Sequence, residues 1–166
     1  MLFQLNSKWL RYSRYEILDE KGELAYEVQG KFWTIGQDLK FLKADGSEIG
    51  FIRSGKLINI GSEYEIFLGK KSFATFKRDQ SWFKPALSNT YKLDVAGPDE
   101  YSIKGSFLDY EYEFLKKDRK VATVSRKFFA LGEKYGVDIE KGEDEVAILA
   151  SVVVVDLIRR NKAAAV

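Results

Sequence analysis

Hydrophobic and polar positions alternate in short windows through most of the chain. Leu24, Tyr26 and Val28 alternate with Ala25, Glu27 and Gln29, and Tyr91, Leu93 and Val95 with Lys92, Asp94 and Ala96. Tyr135, Val137 and Ile139 alternate likewise with Gly136 and Asp138. A period of two over five to seven residues is the mark of a strand buried on one face. Turn chemistry separates the windows: Glu20-Lys21-Gly22, Ala44-Asp45-Gly46, Gly69-Lys70, Gly97-Pro98-Asp99 and Lys117-Asp118-Arg119. The pattern predicts twelve strands, near 2–6, 15–19, 24–30, 38–44, 48–54, 63–68, 71–77, 89–95, 100–105, 111–117, 120–126 and 134–139.

The C-terminal part reads differently. Glu143, Asp144 and Glu145 precede an apolar run from Val146 to Val155, which Asp156 interrupts before Leu157 and Ile158. A membrane-spanning helix needs about 20 consecutive apolar residues. This run is shorter and flanked by charge, so the expectation is a buried core helix over about 144–160 and no transmembrane segment. Acids lead it and Arg159, Arg160 and Lys162 close it, in the sense that complements the helix dipole. The β-branched stretch Val152–Val155 leaves a buried strand as the rival reading.

The chain also repeats itself. Tyr15-Glu16-Ile17-Leu18 matches Tyr91-Lys92-Leu93-Asp94, Tyr26-Glu27-Val28-Gln29-Gly30 matches Tyr101-Ser102-Ile103-Lys104-Gly105, and Tyr64-Glu65-Ile66 matches Tyr135-Gly136-Val137. Two units, about 15–67 and 91–138, are too few for a solenoid. They predict one domain over 1–166: a mainly β, twelve-stranded antiparallel closed barrel of two similar halves. An interior that wide needs a filler, and a helix apolar on every face needs an apolar tube.

Composition narrows the chemistry. There are 27 basic and 25 acidic residues, a balance that argues against a dedicated nucleic-acid binder. With neither histidine nor cysteine, the chain has no disulfide, no Cys/His zinc site, no cysteine nucleophile and no Ser-His-Asp triad. No phosphate-binding glycine loop of standard spacing occurs either. The expectation is a non-enzyme with no catalytic residues, cofactor or metal. The N-terminal residues lack a secretory signal pattern, so a cytoplasmic location is expected.

Tyr26-Glu27-Val28-Gln29-Gly30-Lys31-Phe32-Trp33-Thr34-Ile35-Gly36, Phe73-Ala74-Thr75-Phe76-Lys77-Arg78, Trp82-Phe83-Lys84-Pro85 and the acid-then-apolar ending resemble the LURP-one-related family. That family's fold is similar to the Tubby C-terminal domain and the phospholipid scramblases. The resemblance covers essentially the whole chain and implies a twelve-stranded barrel around a C-terminal helix. It also points toward a lipid surface.

The candidate site is basic. Lys70, Lys71, Lys77, Arg78 and Lys84 are interrupted only by Asp79, with Trp82 and Phe83 in the same stretch. Cations beside apolar rings suit an anionic membrane surface, at about 1 kcal/mol per basic residue. Lysines along strands also serve simply as solubility and edge protection. Lys116, Lys117, Arg119 and Lys120 read as a solvated turn, and the acids from Asp138 to Glu145 as a helix start rather than a calcium loop. The expected function is a binding module for anionic phospholipid headgroups or a membrane-associated partner. A protein-interaction scaffold is the alternative.

Overall fold

The computed structural model describes residues 1–8, 13–30, 38–54, 64–77, 91–95, 101–106, 109–128 and 134–164. The architecture is mainly β, an antiparallel sheet with one C-terminal helix. The first strands are β1 (Leu2–Lys8), β2 (Ser13–Leu18), β3 (Leu24–Gly30), β4 (Leu39–Lys43), β5 (Glu48–Ser54) and β6 (Tyr64–Leu68). There follow β7 (Lys71–Lys77), β8 (Tyr91–Val95), β9 (Tyr101–Ser106), β10 (Glu111–Lys116), β11 (Arg119–Ser125) and β12 (Lys134–Ile139). A 3-10 turn, Arg126–Phe128, leaves β11, and α1 spans Glu145–Ala164.

Each strand pairs antiparallel with its sequence neighbours, and β1 pairs with both β2 and β12. Every described strand therefore has a hydrogen-bonded neighbour on each side. The hairpin β2–β3 has an irregular register at Ile17/Leu18, β4–β5 at Phe41/Leu42, β6–β7 at Ile66/Phe67 and β10–β11 at Phe114/Leu115. All four lie just before the turn. An extra residue there sharpens the local twist and bends the strands together.

Alternation along the strands sends one set of side chains inward. Leu5, Ile17, Val28, Ile103, Phe114 and Val137 are fully buried and join one cluster with Leu149, Val152, Val153, Val154 and Leu157 of α1. Fully burying such a side chain stabilises by about 1.5–3 kcal/mol. The helix is buried on all sides from Ala147 to Ile158, which settles the segment as helix rather than strand. It runs to Ala164, beyond the expected end near 160, because Arg159, Arg160, Asn161 and Lys162 continue the helical turn past the apolar run. Asp144 Oδ1 accepts the Ala147 amide at 3.0 Å and caps its start. Among the described residues no helix is long and apolar enough to cross a membrane.

Candidate functional site

Antiparallel alternation sorts the connections into two rims. The turns after β2, β4, β6 and β10 share the end where α1 begins. The opposite rim surrounds the last turns of α1. Of the five candidate cations, Lys70 sits in the two-residue turn after β6 and Lys71 opens β7. Gly69, beside them, adopts φ +59°, a left-handed value that suits glycine. Both lysines are exposed, and neither has an ion-pair partner among the described residues.

Lys77 stands at the far end of β7, opposite Lys92 of β8. At about 3.3 Å per residue that end is about 20 Å from Lys71. The register change between Ile66 and Phe67 also puts Lys71 opposite Leu68, a residue packed against the core. Arg78 and Lys84 lie outside the described residues, as do Trp82 and Phe83. The structure thus brings Lys70 and Lys71 together at one rim and places Lys77 at the other.

Several other charges of the first rim are engaged. Arg119 binds Glu140 at 3.2 Å and also contacts Glu143, which receives Lys116 Nζ at 3.5 Å. Lys120 pairs with Glu113 at 3.3 Å. A cleft of about 460 Å³ opens beside the helix start, between Phe3, Tyr26, Asp19, Asp45, Lys43 and Glu145. Its acids hold the fold together. Asp19 Oδ1 accepts the Lys21 and Glu23 amides at 2.9 Å, and Asp45 Oδ1 accepts the Ser47 amide and hydroxyl. Tyr26 donates to Glu145; burial, then this bond, pushes the phenol well above its ordinary range.

At the opposite rim lies an arrangement that sequence reading missed. Asp156 is 1% exposed and accepts hydrogen bonds from four side chains. The Tyr15 hydroxyl reaches Oδ2 and the Tyr110 hydroxyl Oδ1, each at 2.8 Å. Arg160 Nε donates to Oδ2 at 2.8 Å, and Arg159 Nε and Nη2 approach Oδ1 at 3.3 Å. Arg160 extends to Ser7 Oγ on β1 at 2.5 Å. Around this carboxylate stand Tyr112 and Tyr135. Burial first, and the Asp156 charge second, raise the phenols of Tyr15, Tyr112 and Tyr135 well above the usual value and that of Tyr110 to about 12.

The signal was present in the sequence. An acid inside an apolar run with arginines three and four positions on is helical ion-pair spacing. What the sequence could not show is that tyrosines from β2, from β10 and the turn before it, and from β12 gather around it. Among the described residues no group of His, Cys, Asp or Glu has the geometry of a metal site.

The model of the LURP-one-related family matches residues 1–156, and the chain belongs to that family. It is 24% identical over 147 residues to the uncharacterized protein YxjI of Bacillus subtilis (strain 168), covering 89% of this chain and 86% of the relative. Its fold is similar to an X-ray structure of a protein from Arabidopsis thaliana, with a TM-score of 0.67 and 18% identity, covering 95% of this chain and 91% of that one.

Proposed function

We propose that this member of the LURP-one-related family is a non-catalytic binding module that meets anionic phospholipid headgroups at the rim carrying Lys70 and Lys71. The pairing of β1 with both β12 and β2 supports a closed barrel of twelve strands as its rigid frame. The observation that carries the reading is a contrast in charge. Lys116, Arg119 and Lys120 on that rim are paired with acids, whereas Lys70 and Lys71 are exposed and unneutralised among the described residues, as are Lys21, Lys117 and Lys141, and of these Lys70 and Lys71 are the two that stand adjacent. A non-catalytic role fits the use of the titratable groups, since the acids cap turns or pair with arginines.

Cosedimentation with phosphatidylserine vesicles tests it. Binding should appear at low salt and fade as the screening length falls from about 10 Å at 0.1 M to about 3 Å at 1 M. Reversing Lys70 and Lys71 to glutamate should abolish it while the fold persists, because exposed charges contribute little to stability. Failure of the wild-type protein to bind at low salt would reject the lipid reading. The second reading, a protein-interaction scaffold, is favoured by the outer wall. There Phe51 and Phe67, both partly exposed, stack at 4.5 Å with the Arg53 guanidinium 5.1 and 5.0 Å from their centroids.

A further inference from the structure

We draw no further inference here: the strongest candidate, the cleft beside the start of α1 that Asp19, Asp45 and Glu145 line with Phe3 and Tyr26, is an acidic cluster already bonded to turn amides, the Ser47 hydroxyl and Tyr26, with no second feature that points to a ligand.

Discussion

Tyr15 and Asp156 lie 141 positions apart in the chain, yet the Tyr15 hydroxyl donates to Asp156 Oδ2 over 2.8 Å inside the core. The contact ties the second strand to the last turns of the helix. With Tyr110, Arg159 and Arg160 completing the coordination, it fixes how far α1 is inserted and how it is rotated. Apolar packing alone is less selective, since neighbouring valines on an all-apolar helix can exchange places at modest cost.

Asp156→Ala should therefore be costly. It leaves two tyrosine hydroxyls and parts of two guanidiniums without their acceptor in a buried setting, and breaking such a cluster from one side costs about 3–5 kcal/mol. Urea denaturation of the variant would measure this. A loss under about 1 kcal/mol would mean that the four donors find other acceptors or water.

The same cluster sets the alkaline limit of stability. Native phenols at Tyr15, Tyr112 and Tyr135 are held well above their ordinary pKa, and Tyr110 at about 12, by burial and then by Asp156. Unfolded tyrosine ionises near pH 10. Above that pH the unfolded chain sheds protons that the native chain keeps, so stability falls as pH rises and is fully present below pH 10. Phenolate absorbance should rise in two stages, the second coinciding with loss of the circular dichroism signal. A single reversible step near pH 10 for all nine tyrosines, with the fold intact, would contradict this.

Val153 tests the interior of the sheet. Its side chain is 0% exposed in the middle of α1. Val153→Asp places a carboxylate among apolar neighbours with no partner, at a cost of several kcal/mol. Near-wild-type thermal stability would show the helix to be exposed.

Gly105 tests a close backbone approach. Its φ is +135°, and a Cβ there would stand 2.5 Å from the Glu111 carbonyl oxygen and 2.7 Å from Tyr112 Cα. Gly105→Ala should force β9 and β10 apart and destabilise by about 1–3 kcal/mol or more. Gly22→Ala meets nothing within 4 Å at φ +79° and should cost only about 1 kcal/mol. Equal effects from the two would argue that strain, rather than the β9–β10 contact, governs both.

Much of the wall was legible in the sequence, because a half-buried strand must alternate. The expected strands fall within two residues of those observed, and 24–30, 48–54, 71–77 and 134–139 coincide. The helix was legible in type but not in its full length, since Arg159 to Lys162 are polar, Ala163 and Ala164 are small, and none of them carries a periodic signal. The candidate site was less legible. Nearness in sequence suggested one patch from Lys70 to Lys84, but a strand carries its two ends apart, and β7 puts its full length between Lys71 and Lys77. Asp156 looked like an interruption because its partners come from the beginning, middle and end of the chain. Local patterns carry no information on such meetings.

The pairing of β1 with β12 bears on how the molecule is made. The Met1 amino group reaches Asp138 across 137 positions, so the first strand leaves the ribosome long before its partner exists. Until α1 follows, the inward row of Leu5, Ile17, Phe41 and Phe114 has nothing to close upon. Contacts of such long range fold slowly and leave apolar surface open to other chains. Biogenesis is accordingly a wait for the C-terminus, and a translation pause or nonsense change ahead of the helix would release an aggregation-prone shell rather than a shortened domain.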